Sequence, residues 1–285
     1  MIKKIIRAIG PILISALSVL ITFLILQQLA IALDQSFSLL NSRGVGKVAF
    51  ITIVIFQIIL FLLTLPVNFL NNFLKTNLYF LKEKDFIKKF CTYFFIFFIL
   101  HSILLYLFYL AGFATYNNNW GYFSINLLLK TIFGFFVVFM LAWTEELIFR
   151  GTLFPYFTQY FSVFSSLILT STIFMFVHDL KNPLNLITKN WQLGLGLFLL
   201  GMLLNLIFIS TKKLYTNMGA HAGLVFVKVI LRRAPILIFL SNDQIPNWVN
   251  KDLRMSSLVH ILFFIIILIL IYKNKSKLVE TQPLS

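Results

Sequence analysis

Two adjacent glutamates lie at the end of an apolar stretch, in the segment WTEELIFRG (143–151). An ionisable side chain inside a bilayer is costly unless it is paired or hydrated, so such residues mark functional sites. On a helix, Glu146 and Arg150 are in the favourable order for an ion pair. Glu145 projects about 100° away from Glu146 and cannot share Arg150. We therefore expect one paired glutamate and one glutamate available for proton chemistry, unless both belong to a charge cluster among the lipid headgroups.

Two of the four histidines have surroundings that suggest chemistry. His178 is followed directly by Asp179, and His221 lies among small residues in TNMGAHAGLVF (216–226), which permit close helix approach. His101 and His260 are isolated within apolar stretches, where a histidine more often packs or hydrogen-bonds than catalyses. We expect these two to be structural.

Three patterns resemble the signature motifs of the CAAX-protease and bacteriocin-processing (CPBP, or Abi) family. They are Glu145-Glu146-x-x-x-Arg150, Phe174-x-x-x-His178 and His221-x-x-x-Val225, in this order along the chain. Gly151 after the arginine and the glycine-rich LGLGLFLLG (193–201) before the third pattern add to the resemblance. It covers about residues 123–230 and leaves the first three apolar stretches, which end at residue 114, outside.

The resemblance implies an intramembrane endopeptidase in which Glu145, helped by His178, activates a water molecule. His221 would stabilise the tetrahedral intermediate, with Glu146, Arg150, Phe174 and Asn217 in support. Relatives that process prenylated proteins have an asparagine at the fourth position after the third-motif histidine. This chain has Val225 there, which puts that oxyanion donor and CAAX substrates in question.

Asn217 lies one turn before His221 on the same helix face. It is a candidate replacement for the missing donor. Ordinary helix hydrogen bonding by Asn217 is the alternative.

A metal-dependent reaction is the alternative to a metal-free one. Glu145, His178 and His221 form a donor set that could hold zinc with water in the fourth position. The helical HExxH spacing typical of zinc peptidases is absent from the sequence. We favour the metal-free mechanism and expect no obligatory cofactor.

The amino-acid composition indicates that the candidate site residues lie in a membrane protein. Of 285 residues, 60% are hydrophobic and 12% are charged, against roughly 25% charged in soluble domains. The net charge of +15 is distributed in short basic runs between apolar stretches, as in positive-inside topology and not as on a nucleic-acid-binding face. The single cysteine, Cys91, excludes an intramolecular disulfide.

The apolar stretches predict an all-α, polytopic transmembrane helix bundle of about eight helices. The predicted spans are 10–33, 48–70, 90–114, 123–147, 162–178, 192–210, 214–232 and 257–272. Basic residues concentrate at the N-terminus, in the 71–89 loop, at Lys212 and Lys213, and in the C-terminal tail. This distribution predicts that the chain lies in a bacterial-type inner membrane with both termini on the cytoplasmic side.

We expect three parts: N-terminal helices in 1–122, a catalytic core in 123–232, and an external loop, last helix and tail in 233–285. His221 would lie about 10 Å inside the membrane, counted from the lysine pair. His178 reaches that depth only if 152–165 lies along the interface and the fifth helix begins near Ser166. The polar residues after His178 would then line a wet cavity.

Two functions fit these features. The first is an intramembrane endopeptidase that cleaves a membrane-associated peptide or protein near the cytoplasmic leaflet. The second is a non-catalytic membrane protein, such as a bacteriocin-immunity or transporter-accessory factor, in which the same residues form a buried polar network. The joint presence of Glu145, Glu146, His178 and His221 favours the enzyme.

Overall fold

A computed structural model describes most of the chain from residue 83 onward. The described residues are 21, 24, 83–117, 125–179, 182–233, 236–241, 244–246, 248–250 and 252–279. Apart from residues 21 and 24, the first two predicted spans lie outside them, as do residues 71–82 of the 71–89 loop. The described part is mostly helical, and the predicted all-α class is confirmed.

The described chain contains nine α-helices, joined by short turns and two strands. The helices are α1 (Phe86–Leu110), α2 (Ile125–Ile148), α3 (Phe154–Phe157), α4 (Val163–Phe176), α5 (Asn185–Thr188), α6 (Trp191–Thr211), α7 (Leu214–Arg233), α8 (Ser257–Lys273) and α9 (Lys275–Val279). The other elements are a π-helical segment (Phe149–Leu153), 3-10 turns at Val177–Asp179 and Leu253–Met255, and strands β1 (Ala114–Tyr116) and β2 (Leu237–Phe239).

Four helical stretches in the described part are long and apolar enough to cross a membrane. They are Phe86–Leu110, Leu127–Phe157, Trp191–Thr211 and Leu214–Arg232. Two shorter apolar helices, Val163–Asp179 and Ser257–Lys273, match the fifth and eighth predicted spans. The chain is therefore a membrane protein.

The fifth helix begins where its predicted span, 162–178, begins. Ser162 caps α4 by accepting a hydrogen bond from the Ser165 backbone N–H at 3.1 Å, which satisfies a free donor of the first turn. The helix thus begins at Val163 and not near Ser166, the start on which the depth of His178 was made conditional. The interfacial stretch in the same condition is also absent, because residues 152–157 continue the fourth helix through the π segment and α3.

Close packing of α7 on α1 depends on two glycines. A Cβ at Gly219 would overlap the Phe90 carbonyl oxygen, and a Cβ at Gly223 would overlap that of Phe94. Small residues in membrane helices permit this backbone approach. The predicted role of the small residues around His221 is confirmed.

The two strands join the chain after α1 to the chain after α7. β1 and β2 pair antiparallel, with Ala114 opposite Phe239 and Tyr116 opposite Leu237. The sequence analysis did not predict them, because three apolar residues carry no period that separates a strand from a helix end. The pairing requires the segments after α1 and after α7 to lie at the same end of the bundle. The predicted alternation of spans across the membrane places them at the same end as well.

We predict that Gly223→Ala destabilises the protein. The new methyl group has no space beside the Phe94 carbonyl, and overpacking of this kind costs about 1–3 kcal/mol. The melting temperature in detergent should therefore fall.

Gly112→Asn is the matched control. Gly112 has a φ of 77°, and a Cβ added there would meet no neighbouring atom within 4 Å. A side chain at this positive φ is strained, but asparagine adopts the region more readily than other residues, so the variant should lose less stability than Gly223→Ala. Equal melting temperatures for Gly223→Ala and wild type would contradict the packing described for α1 and α7.

Candidate active site

The predicted ion pair between Glu146 and Arg150 is present and fully buried. The Arg150 Nη1 atom donates to Glu146 Oε1 at 3.2 Å, and both side chains are 0% exposed. Charges withdrawn from water are tolerated when their remaining hydrogen-bonding groups are satisfied. The headgroup alternative is therefore wrong for Glu146, since this carboxylate lies inside the bundle.

Arg150 has two further partners on α6. Its Nε donates to Asn205 Oδ1 at 3.0 Å, and its Nη2 donates to the Gly201 carbonyl oxygen at 2.9 Å. The guanidinium also faces the Phe174 ring, with 5.0 Å between Cζ and the ring centroid. Every nitrogen of the guanidinium is thus in use.

Asn205 is a site residue that the sequence analysis missed. It is fully buried, and its Nδ2 donates to the Leu167 carbonyl at 3.3 Å and to Ser171 Oγ at 3.1 Å. It thereby joins α4 and α6 to Arg150. The signal was an amide within an otherwise apolar span, which points to a functional site as a charge in that position does.

Arg150 lies in the π-helical segment that follows α2. In this segment Thr152 Oγ1 donates to the Leu147 carbonyl at 3.1 Å, which is five residues back. Such segments are rare in proteins overall, but where they occur they often lie at functional sites. Here the segment allows one helix to carry the site and then continue to Phe157.

His221 lies between the two glutamates. Its Nδ1 is 2.8 Å from Glu146 Oε1, and its Nε2 is 3.7 Å from Glu145 Oε2. Because Glu146 is paired with Arg150 as a carboxylate, it accepts, and the Nδ1 atom of His221 carries the proton. In neutral His221, the lone pair of Nε2 would then face Glu145. A proton or a water molecule between these two atoms removes the repulsion.

Asn217 supports Glu146 and is not a spare donor. Its Nδ2 donates to Glu146 Oε2 at 3.2 Å and to the Leu204 carbonyl at 2.6 Å. Both amide hydrogens are therefore engaged, and the suggestion that Asn217 replaces the missing oxyanion donor is wrong. The alternative, ordinary hydrogen bonding within its own helix, does not describe these bonds either, because both partners lie on other helices. Val225 packs at the edge of the hydrophobic core.

Phe174 places His178 beside the same site. The Phe174 ring centroid is 4.6 Å from that of His178 and 6.2 Å from that of His221. His178 Nδ1 lies 2.7 Å from the Phe174 carbonyl oxygen. A carbonyl only accepts, so Nδ1 donates and Nε2 is left for other contacts. The His178 side chain is exposed.

Glu145 has different surroundings from Glu146. Its side chain is 22% exposed, and its Oε2 atom has no hydrogen-bond partner among the described residues. The structure thus brings Glu145, Glu146 and His221 together, with His178 across the Phe174 ring. This matches the expectation of one paired and one available glutamate.

The other two histidines are structural, as expected. His101 Nδ1 lies 2.8 Å from the Leu224 carbonyl oxygen, and His260 Nε2 lies 2.8 Å from that of Arg254. Each ring therefore holds a backbone carbonyl of a neighbouring segment.

The described residues do not assemble a metal centre. Among them, no three histidine, cysteine, aspartate or glutamate side chains lie close enough together to bind a metal ion. The set of Glu145, His178 and His221 therefore does not fit zinc in this arrangement, and no chemical step is routed through a metal.

Comparison with known families agrees with this site. The model of the type II CAAX prenyl endopeptidase Rce1-like family matches residues 126–227, which include Glu145, His178 and His221. The resemblance seen in the motifs is confirmed for this segment. No curated protein and no solved structure matches the chain significantly.

We predict that Arg150→Ala strongly destabilises the protein. It leaves the buried Glu146 carboxylate without its cation, and breaking a buried pair costs about 3–5 kcal/mol. The melting temperature and yield in detergent should fall whatever the activity.

The double variant Glu146→Gln with Arg150→Met should recover much of this loss, because no unpaired ion remains buried. A double-mutant cycle on melting temperatures measures the coupling between the two positions. Wild-type stability of Arg150→Ala would show that the pair is accessible to water.

Proposed function

We propose that this protein hydrolyses a peptide bond in a membrane-associated peptide or protein, with Glu145 as the general base. The observation that carries the proposal is the position of Glu145. It lies 3.7 Å from His221 Nε2 and outside the Glu146–Arg150 pair. A partly exposed carboxylate that lies outside the buried ion pair and beside an imidazole is suited to proton transfer.

In this mechanism Glu145 and His178 together hold and deprotonate the attacking water. Glu145 accepts the proton and the hydroxide oxygen bonds to the scissile carbonyl carbon. Collapse of the tetrahedral intermediate breaks the C–N bond, and Glu145 returns the proton to the leaving amine. The His178 Nε2 atom is available as an acceptor for the same water, because its Nδ1 is occupied by the Phe174 carbonyl.

His221 stabilises the negative oxygen of the intermediate. To donate from Nε2 it must carry a second proton, since Nδ1–H is committed to Glu146. The Glu146 carboxylate favours this cation. Because Val225 supplies no donor and Asn217 is engaged elsewhere, His221 carries most of this stabilisation. A preformed donor of this kind contributes strongly to catalysis.

The non-catalytic alternative is an immunity or transporter-accessory factor. The network of Glu146, Arg150, Asn205 and Asn217 joins the helices without any bond from Glu145, and a purely structural role needs no more. A purely structural role does not account for Glu145. We therefore favour the enzyme and test it at Glu145.

We predict that Glu145→Gln reduces proteolysis at least about hundredfold, the typical contribution of a general base. The side chain keeps its shape, so the melting temperature should stay near that of wild type. The assay is cleavage of a library of lipid-anchored peptides in proteoliposomes, read by mass spectrometry. Retained turnover in Glu145→Gln would exclude the assigned role.

We also predict that a strong chelator leaves cleavage intact. Metal analysis of the purified protein should find far less than one equivalent of zinc. Zinc at one equivalent, together with activity that is lost on chelation and regained with added zinc, would replace the metal-free mechanism while keeping the protease.

A further inference from the structure

An apolar groove lies on the surface of the seam between α1 and α7. Its volume is about 370 Å³, within the range of ligand pockets. The buried side chains of Leu105 on α1 and Val227 on α7 line it. The strand pair contributes Tyr116 and Leu237, which lie opposite each other. Among the described residues, the lining includes none from α2, α4 or α6, so the groove is separate from the candidate active site.

The lining of the groove is suited to an apolar ligand. Apart from tyrosines, Ser102 is the one polar residue among the described residues that line it, and its Oγ atom already donates to the Phe98 carbonyl oxygen at 2.8 Å. A ligand with polar groups along its length would lose hydrogen bonds to water there without replacing them. A hydrocarbon chain has no such groups to satisfy.

The groove is about as long as one leaflet of a bilayer is thick. On α1 it extends from Phe98 to Tyr109, which corresponds to about 16 Å along the helix axis at 1.5 Å per residue. The hydrocarbon core of a bilayer is about 30 Å thick, so one leaflet contributes about 15 Å. A single extended acyl chain therefore matches the groove in length as well as in polarity.

Tyrosines surround the end of the groove that lies beside the strand pair. Tyr106, Tyr109 and Tyr116 line the groove and are all exposed. Tyrosine is enriched where hydrocarbon meets the headgroups, because its ring is apolar and its hydroxyl is polar. This end is thus the level at which a lipid headgroup would lie.

Arg232 supplies a positive charge at the same end. It follows Leu231, which lines the groove, and its side chain is exposed near the end of α7. Lys228, one turn earlier, has Asp252 as its partner, whereas Arg232 forms no ion pair within the described part of the chain. A guanidinium binds phosphate well through its several N–H groups. The charge therefore favours an anionic headgroup.

We infer that the groove binds one acyl chain of an anionic phospholipid, with the lipid phosphate beside Arg232. The site is independent of Glu145 and of the proposed reaction. In the predicted topology, the lipid belongs to the non-cytoplasmic leaflet. Its chain lies on the outer surface of the seam and adds contacts to both α1 and α7 without separating them.

The first experiment measures which lipids stay bound. The full chain is purified in detergent, mixed with equal amounts of phosphatidylglycerol and phosphatidylcholine that have identical acyl chains, and analysed by native mass spectrometry. Phosphatidylglycerol should be retained about two- to fivefold more, the factor expected for one exposed charge interaction. Retention in the proportions supplied would indicate nonspecific surface lipid and overturn the inference. Displacement of the lipid by glycerol phosphate, which lacks acyl chains, would also overturn it.

Two variants separate the acyl chain from the headgroup. Ser102→Phe places a ring in the groove and should abolish lipid retention. Arg232→Gln should still retain lipid but lose the preference for phosphatidylglycerol. Thr131→Phe on α2 is the matched control, because the Thr131 hydroxyl also donates to a carbonyl four residues back, at 2.9 Å, but lies outside the groove. It should retain lipid as wild type does.

Melting temperatures show whether the variants are folded. Without added lipid, Ser102→Phe should melt no lower than Thr131→Phe. Added phosphatidylglycerol should then raise the melting temperature of wild type and of Thr131→Phe, but not that of Ser102→Phe. Should Ser102→Phe fail to fold, Arg232→Gln decides the question. A wild-type preference for phosphatidylglycerol in that variant would overturn the inference, and loss of the preference would support it.

Discussion

The buried pair of Glu146 and Arg150 is the constraint around which the described core is organised. Both groups are fully shielded from water, so each remaining polar atom must find a partner inside the protein. Gly201 and Asn205 from α6 bond the guanidinium, and Asn217 from α7 bonds the carboxylate. Asn205 in turn bonds α4. Four helices are thus fixed relative to one another by one ion pair.

This arrangement gives two neighbouring residues of the same type opposite tasks. Glu146 is held ionised and orients the His221 ring through Nδ1, whereas Glu145 meets the other ring nitrogen without a cation of its own. The difference arises from helix geometry alone, because consecutive side chains point about 100° apart. The chemistry proposed for Glu145 therefore depends on the stability of its neighbour.

The sequence predicted the features that follow from local periodicity and missed those that depend on long-range contacts. The spans from residue 83 onward and the Glu146–Arg150 pair were predicted, since both depend on apolar length or on a four-residue spacing. The roles of Asn205 and Asn217 were not, because their partners lie on other helices, and the strands were too short to show a pattern. The cap at Ser162 starts α4 at Val163, inside the predicted span 162–178. Whether the assigned residues act in catalysis stays a prediction.

The way α1 is joined to α7 determines how a substrate can enter. Near Lys212, Glu83 accepts hydrogen bonds from Lys213 at 2.8 Å and from Tyr215 at 2.8 Å. In the middle of the two helices, α7 packs closely on α1 at Gly219 and Gly223. The His101 ring of α1 also hydrogen-bonds the α7 backbone there.

The pairing of β1 with β2 holds the C-terminal ends of α1 and α7 together. A lateral gate between two helices requires them to separate, and here separation would break contacts along the whole length of α7. The seam between α1 and α7 is thus closed to lipid-borne chains. Among the described helices, the substrate of the proposed reaction would therefore approach Glu145 from another side, where the His178 ring is exposed.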